Sequence, residues 1–336
     1  MKAYVLKKTG KPEILKLVDV VEPKCATDGV KVKVERIGIN YAEILSRRGQ
    51  YRWAPKRPYI PGMECYGEIV EVGEQVSQHK VGDKVIVGSQ YGAYAEFVSA
   101  PAYLALPAPD KFTASEAAAF LVNFMTAWVA LVKLGRMRAG DVSLVHAAAG
   151  GVGTAAIQIG KAIGATMIGT ASNEEKLKLI RDYGADLAIN YATTNFAKTI
   201  RAHHEGVDIV LEVVGGEVFR KSMDLLNPFG RLVVTGYASI PLKLWNPLTY
   251  WKTWKDAPKA SVMDMAIKSN GLMATHLGYL TDNPKVVKEE WGALSSFCQA
   301  HDLKPLVGKE FMFDDMAKAH SWMESRQSVG KIIVKI

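Results

Sequence analysis

Cysteine is scarce in this chain of 336 residues, which contains only Cys25, Cys65 and Cys298. The three form no C-x-x-C pair, and an odd number of widely spaced thiols excludes the disulfide framework of a small secreted domain. The chain is charged again at Lys7, so its opening lacks the apolar core of a signal peptide. These absences predict reduced thiols and a cytoplasmic protein.

Long hydrophobic runs and blocks of like charge are also missing. The uncharged run 117–132 is too short to cross a bilayer, and the run 142–160 is interrupted by glycines, His146 and Gln158. Lys and Arg number 42 against 34 acidic residues, a net charge of +8, yet no five like charges are consecutive. Dispersed basic charge is weak support for nucleic-acid binding. We therefore expect a soluble protein without a nucleic-acid partner.

The pattern of apolar residues divides the chain into two domains, as its length also suggests. Short alternating strands such as 30–34 and 84–87 predict a β-rich first domain, a small barrel. An alanine-rich stretch over 115–134 predicts a helix, and from 142 apolar strands alternate with helices, which is typical of a covered parallel sheet. The closing run 331–336 alternates again and is predicted to rejoin the barrel. The predicted domains are 1–122 plus 274–336 for the barrel and 123–273 for the inserted sheet domain.

The alternation breaks down between 240 and 282, where Trp245, Trp251 and Trp254 lie among prolines and lysines. An irregular excursion that packs on its own domain is the favoured interpretation, because clustered aromatic residues mostly pack. A lid, a membrane-touching face over 241–259 or a dimer contact is the alternative, since Trp and Lys together suit interfaces.

The strongest chemical signal is the string H-A-A-A-G-G-V-G at 146–153, which follows a predicted strand and opens a predicted helix. Glycines in such a turn let the backbone approach a pyrophosphate, whose charge is stabilised by N–H groups at the helix N-terminus. The first glycine of G-x-G-x-x-G is replaced by Ala148, so the string alone is weak. Its position between a strand and a helix, followed by further strand–helix units, predicts a dinucleotide site.

The end of the next strand indicates which dinucleotide binds. An NAD site usually has an acidic residue there to bind the ribose 2′-hydroxyl, whereas this chain has T-A-S-N at 170–173. Ser172 can donate a hydrogen bond to a 2′-phosphate and Lys176 can supply positive charge, which favours NADP(H). On the alternative interpretation, Ser172 merely caps the helix and Lys176 is a solvated surface lysine, and the two interpretations can hold at once.

The chain resembles the zinc-free quinone-reductase branch of the medium-chain dehydrogenase/reductases over its full length. Within that branch, the tryptophans after Tyr237 and the string H-L-G-Y-L at 276–280 are most similar to vesicle amine transport protein homologues. The strings that carry the resemblance are N-Y-A-E at 40–43, R-G-Q-Y at 48–51, P-G-M-E at 61–64, G-D-K-V at 82–85, A-A-A-G-G-V-G at 147–153, G-A-D at 184–186, I-N-Y at 189–191 and G-K at 330–331.

The resemblance implies an α/β architecture, with a doubly wound Rossmann domain inserted in a GroES-like β-barrel domain, a nicotinamide cleft between the two and a homodimer joined through the Rossmann sheets. It places catalytic roles on Asn40, Tyr51 and Thr126. It implies that the following residues bind the cofactor: Asn40, Thr126, Trp128, Gly150, Gly151, Val152, Gly153, Ser172, Lys176, Tyr191, Val213, Val214, Gly236, Tyr237, His276 and Leu277.

Zinc is not expected, because the ligands that zinc-using relatives need are replaced. Asn40 stands at the first ligand position and Met63 at that of the histidine, and no four-cysteine lobe follows Val85. Glu64 is therefore expected to bond backbone rather than metal.

Without a metal, the expected reaction is hydride transfer from NADPH to a quinone or an α,β-unsaturated carbonyl, with Asn40 and Tyr51 as candidates to bond the acceptor oxygen. Tyr51 can equally be a packing aromatic at the barrel edge. The alternative function is a nucleotide-binding interaction or membrane-associated protein with little turnover, because a fold does not fix a function.

Overall fold

A computed structural model describes residues 1–236 and 257–336, which form two units. One unit comprises Met1–Met125 with Leu277–Ile336, and the other comprises Thr126–His276. The sequence predicts these boundaries at 122/123 and 273/274, which fall within the helix Ala114–Trp128 and within the strand Gly271–Ala274. The Trp-rich segment 241–259, about which the sequence left two interpretations open, falls almost wholly outside the described residues.

The described strands are numbered in chain order. They are β1 (Lys2–Tyr4), β2 (Leu17–Asp19), β3 (Gly29–Ile39), β4 (Glu64–Val72), β5 (Lys84–Gly88), β6 (Phe97–Pro101), β7 (Ala105–Pro107), β8 (Val142–Val145), β9 (Thr166–Ala171), β10 (Leu187–Asn190), β11 (Val207–Glu212), β12 (Leu226–Val234), β13 (Gly271–Ala274), β14 (Val307–Met312) and β15 (Lys331–Lys335).

The described α-helices are numbered in the same way. They are α1 (Tyr41–Arg48), α2 (Ala114–Trp128), α3 (Gly151–Ile163), α4 (Glu174–Asp182), α5 (Phe196–His203), α6 (Gly216–Asp224), α7 (Val262–Lys268), α8 (Leu277–Leu280), α9 (Pro284–Ala300) and α10 (Met316–Glu324).

The first unit is built around β3, the longest of its strands. Val30, Val32 and Val34 of β3 are buried, while the lysines between them are more exposed, which is the alternation expected of a strand with one buried face. β3 pairs antiparallel with β4, β6 and β15, so the last strand of the chain returns to this unit as the sequence predicts. The seven-stranded sheet has the order β14-β15-β3-β4-β5-β7, with β6 beside β3.

The second unit contains a six-stranded parallel sheet in the order β10-β9-β8-β11-β12-β13. Its central strands are buried on both faces, as the continuous apolar runs predict, and helices α3 to α6 connect them. The sixth strand, Gly271–Ala274, lies where we expected no regular structure. Sequence patterns did not reveal this strand, because its four residues are half-buried or exposed and do not alternate between apolar and polar.

The predicted helix over 115–134 changes its form at Val129. α2 ends at Trp128, and a π-helix over Val129–Leu134 continues it; Gly135 N–H donates to Ala130 O at 2.9 Å. The combined stretch Ala114–Leu134 is the one described helix that is long and apolar enough to cross a membrane. Because 72% of its most apolar window is buried inside the protein, it is better explained as a core helix.

Candidate active site

The turn between β8 and α3 lies at the carboxyl edge of the parallel sheet, where the strand order reverses between β8 and β11. Gly150 is the N-cap of α3, in an extended conformation, and it has no side chain with which to cap the helix. The N–H groups of a helix's first turn have no partner within the helix, and the helix dipole is positive there. This end of α3, beginning at Gly151, Val152 and Gly153, therefore suits an anion.

Glycine is suited to positions 150 and 153 of the turn for two different local reasons. A Cβ on Gly153 would lie 2.5 Å from Ala148 Cα, so only glycine lets the helix pack directly on the turn. A Cβ on Gly150 would meet only Ala147 O, at 3.3 Å, so this position opens away from the protein and leaves room for a ligand. Ala147 itself adopts a left-handed φ of 50°, a strained conformation of the kind found at functional turns. The turn therefore fits a pyrophosphate.

A buried histidine, His146, lies at the start of this turn. His146 Nδ1 lies 3.1 Å from Thr170 Oγ1, and its Nε2 lies 2.9 Å from Ser222 Oγ. Burial lowers the pKa of His146 to about 3, so the ring is neutral at physiological pH. Sequence patterns assign no role to this histidine, because a single histidine at a strand end has no distinctive spacing.

At the end of β9, the structure separates the two roles that the sequence left open. Asn173 caps α4, since its Oδ1 accepts the N–H of Lys176 at 2.9 Å, so Ser172 is not the cap. Lys176 is only 9% exposed and is not a solvated surface lysine. Burial lowers the pKa of Lys176, because removing the charged ammonium from water costs free energy. The negative charge of a bound phosphate would offset this cost. Tyr191 N–H bonds to Ala171 O at the same strand end, with its side chain exposed.

The ends of β11, β12 and β13 bring further predicted residues to the same edge of the sheet. Val213 and Val214 follow β11 and are half-buried, and Gly236 follows β12 with its Cβ position 3.9 Å from Val213 O. His276 follows β13, and burial lowers its pKa. Loops that follow parallel strands share one edge, so these residues and the glycine turn lie on the same side of the sheet.

Glu212, which the sequence did not single out, organises the loop after β11. It is fully buried, and its Oε1 accepts the N–H groups of Val214 and Gly215, the latter at 2.8 Å. Burial raises the pKa of Glu212 to about 7 in spite of these hydrogen bonds. Its carboxylate thus fixes the backbone between β11 and α6.

In the barrel unit, Asn40 lies between the end of β3 and the start of α1, and it is 8% exposed. Its Oδ1 accepts the ammonium of Lys331 at 2.6 Å, and its Nδ2 donates to Glu64 Oε1 at 3.2 Å. Lys331 also forms a buried ion pair with Glu64, whose Oε2 accepts the N–H of Val122 at 2.9 Å. Glu64 therefore bonds a backbone N–H, as expected. Its ion pair with Lys331 was not expected, because the sequence analysis used Lys331 only as part of the G-K string at 330–331.

A second buried carboxylate lies under Asn40. Glu43 accepts the N–H groups of Asn40 and Met63, each at 2.7 Å, and the hydroxyl of Tyr94 at 2.8 Å. Burial raises the pKa of Glu43 to about 7, although these hydrogen bonds act in the opposite direction. Glu43 thereby holds the backbone on both sides of the loop that presents Asn40.

Tyr51 lies just after α1 and is half-buried, with its ring edge-on to Trp53 at 5.6 Å between centroids. Trp53 makes a similar contact with Tyr279, so three aromatic rings line this part of the barrel unit. Burial raises the pKa of Tyr51, so its hydroxyl remains protonated and can donate. Both interpretations of Tyr51, packing aromatic and ligand-binding group, are compatible with this position.

The remaining predicted residues lie near the two positions at which the chain passes from one unit to the other. Thr126 is half-buried and Trp128 is buried, both in the last turn of α2, just before the π-helix. Leu277 begins α8 and is half-buried. Tyr237 lies outside the described residues.

Metal ligands are not gathered at this site. Within residues 1–236 and 257–336, no group of three or more His, Cys, Asp or Glu side chains could hold a metal ion. The surroundings of Asn40 also disfavour a metal ion, because the ammonium of Lys331 already bonds oxygen atoms of Asn40 and Glu64.

Comparison with known proteins agrees with this geometry. Residues 26–110 match the alcohol dehydrogenase GroES-like domain, and residues 151–254 match the family described as zinc-binding dehydrogenase. Mouse quinone oxidoreductase is 34% identical, covering 99% of this chain and 97% of its own. The rat synaptic vesicle membrane protein VAT-1 homolog is 33% identical, covering 94% of this chain and 78% of its own.

Solved structures give the same result over the whole chain. The quinone oxidoreductase of Thermus thermophilus, whose complex with NADPH is also known, is 35% identical with a TM-score of 0.82, and the match covers 100% of both chains. The predicted combination of a GroES-like domain and a parallel-sheet Rossmann domain is thereby confirmed. The chain belongs to the medium-chain dehydrogenase/reductase superfamily, among its quinone oxidoreductases and VAT-1 homologues.

Proposed function

We propose that the protein is an NADPH-dependent oxidoreductase that reduces quinones or α,β-unsaturated carbonyl compounds without zinc. The observation that carries the proposal is the pair of features at adjacent strand ends: the open glycine turn before α3, and the buried ammonium of Lys176 after β9. The quinone oxidoreductase of Thermus thermophilus, solved with NADPH, supports the same cofactor.

The cofactor is NADP(H), which supplies a hydride from its reduced nicotinamide when bound. The first turn of α3 holds the pyrophosphate through backbone N–H groups, so Gly150, Gly151 and Gly153 act through the absence of side chains. Ser172 and Lys176 bind the 2′-phosphate through a hydrogen bond and an ion pair. The other predicted cofactor contacts, on both units, are part of this proposal.

Tyr51 is the proposed donor to the acceptor oxygen, because its protonated hydroxyl can donate and its ring is half-buried beside Trp53. A donor of this kind, aimed at the oxygen where negative charge develops, contributes about 1–3 kcal/mol. Reduction of a quinone to a hydroquinone takes one hydride and one proton, and solvent is the final source of that proton. We further propose a soluble cytoplasmic homodimer.

The reductase activity is tested by NADPH oxidation at 340 nm with 1,2-naphthoquinone and with a 2-alkenal as acceptors. We expect turnover with NADPH and much less with NADH, and the rate should survive dialysis against a chelator. A rate that disappears with chelation and returns with Zn²⁺ would refute zinc independence.

A nucleotide-binding protein with little turnover is the second candidate. The similarity to the VAT-1 homolog over 94% of the chain favours it, because that relative is named as a vesicle membrane protein. Tight NADPH binding with no rate above background for either acceptor would favour this candidate over the reductase.

A further inference from the structure

Three polar side chains of the barrel unit meet in a nearly solvent-free cluster. Asn40 is 8% exposed, Lys331 is 2% exposed and Glu64 is fully buried. They come from the end of β3, the start of β15 and the start of β4. A buried ion pair is poor support for stability, because the desolvation of both charges offsets most of their attraction. The presence of this pair beside a proposed site residue therefore needs another reason.

The lysine determines which way the amide of Asn40 faces. An ammonium can only donate, so the atom of Asn40 that lies 2.6 Å from Lys331 Nζ must be the oxygen, Oδ1. The nitrogen, Nδ2, is then directed at two internal acceptors, Glu64 Oε1 at 3.2 Å and Gly38 O at 3.4 Å. Both N–H bonds of the amide are thus directed inward, so a ligand can bond Asn40 only by donating to Oδ1.

We propose that Lys331 is a positioning residue that fixes Asn40 as a hydrogen-bond acceptor toward the bound cofactor. This rests on the proposed function, in which Asn40 is one of the predicted cofactor contacts. A ligand group that bonds Asn40 must donate, as the nicotinamide carboxamide and the ribose hydroxyls do, whereas a quinone carbonyl only accepts. Asn40 is thus assigned to the cofactor, and Tyr51 retains the role of donor to the acceptor oxygen.

The ammonium also takes the place of a metal ion in this cluster. Its contacts are the oxygen of Asn40, at the first ligand position of zinc-using relatives, and the carboxylate of the neighbouring Glu64. A divalent cation there would face a fixed positive charge and two oxygen atoms that are already bonded. Lys331 therefore acts as an internal cation that holds the side chains a metal would otherwise order.

The test compares Lys331→Met with Lys335→Met, which makes the same change at an exposed position of the same strand. We expect kcat to fall about 10- to 100-fold in Lys331→Met, because small misplacements of site groups have effects of that size, while Lys335→Met stays within twofold. The side-chain amide resonances of Asn40 in ¹⁵N-labelled apoprotein, assigned by their loss in Asn40→Ser, should shift or broaden in Lys331→Met only.

A double variant separates positioning from simple charge balance. Glu64→Met with Lys331→Met leaves no unpaired buried charge, so its melting temperature should recover relative to Lys331→Met alone. The proposal requires kcat to stay low and the Asn40 amide resonances to stay perturbed in this double variant. Recovery of wild-type kcat, or unperturbed Asn40 resonances in Lys331→Met, would overturn it. If the wild type reduces no acceptor, the proposed function fails, while the amide resonances still decide the role of Lys331.

Discussion

Lys176 differs from its helical neighbour Lys178 in burial. The side chain of Lys178 is 75% exposed and pairs with Asp182, whereas Lys176 is 9% exposed with a lowered pKa. A charged group held in a poorly solvated position interacts strongly with a ligand of opposite charge, so Lys176 is suited to a phosphate.

Replacing Lys176 by alanine should weaken NADPH binding at least tenfold and NADH binding less than twofold. The reason is that only NADPH carries the 2′-phosphate that the ammonium binds. Calorimetry or cofactor fluorescence gives both affinities, and Lys178→Ala is the matched control. Equal losses for the two cofactors would remove Lys176 from the phosphate site.

Tyr51→Phe should lower kcat for quinone reduction by about 5- to 100-fold and leave NADPH affinity unchanged, because the hydroxyl bonds the acceptor and not the cofactor. Tyr41→Phe, at an exposed position of α1, is the control and should behave as wild type. An unchanged kcat in Tyr51→Phe would show that Tyr51 only packs against Trp53.

Among the secondary-structure elements, α3 is the one on whose first turn the proposed cofactor binding depends. Its N-cap has φ −77° and ψ 172°, a conformation that any residue adopts, so glycine is not required there by the backbone. A side chain at this position would instead fill the space before the first turn. A substitution of Gly150 therefore tests whether a ligand occupies the space before the first turn, and not whether the backbone can fold.

Gly150→Val should abolish measurable NADPH binding while the protein still folds, because the added Cβ meets only Ala147 O and the side chain blocks the helix N-terminus. Gly292→Ala is the control: it lies within α9 with nothing within 4 Å of the added carbon, and should stabilise the protein by up to about 1 kcal/mol. Differential scanning fluorimetry with and without NADPH measures both effects. Retention of NADPH affinity in Gly150→Val would place the cofactor elsewhere.

The stability of the whole molecule should depend on four buried titratable groups. Burial lowers the pKa of His146 and of His320 from 6.5 to about 3, so these histidines remove stability as the pH falls from 6.5 to 3. Burial raises the pKa of Glu43 and of Glu212 from 4.5 to about 7, so these carboxyl groups add stability as the pH falls from 7 to 4.5.

The two effects oppose each other between pH 6.5 and 4.5, and of these four groups only the histidines act below 4.5. We therefore expect the urea midpoint to change little from pH 7 to about 4.5 and then to fall steeply. Equilibrium unfolding at a series of pH values, followed by circular dichroism, checks this. A steady loss of stability from pH 6.5 downward would mean that the carboxyl groups do not offset the histidines.

Much of the fold and part of the site follow from local patterns. The alternation of apolar strands and helices predicted the parallel sheet, because the central strands β8 and β11 are mostly apolar and buried on both faces. The string at 146–153 predicted the turn before α3, since glycine spacing, a preceding strand and a following helix lie within one short segment. The edge strand β13 and the π-helix at Val129–Leu134 were missed, because neither changes the period of apolar residues enough to be recognised.

Local stretches of sequence were enough to predict the pair of domains and the dinucleotide turn, because each depends on residues close together in the chain. The burial of Lys176, the capping of α4 by Asn173 and the contact of Lys331 with Asn40 emerged only from the folded protein. Lys331 and Asn40 are 291 residues apart. Their contact exists because β15 pairs with β3. The alternation of 331–336 predicted that this strand rejoins the barrel, but no local pattern of residues specifies β3 as its partner.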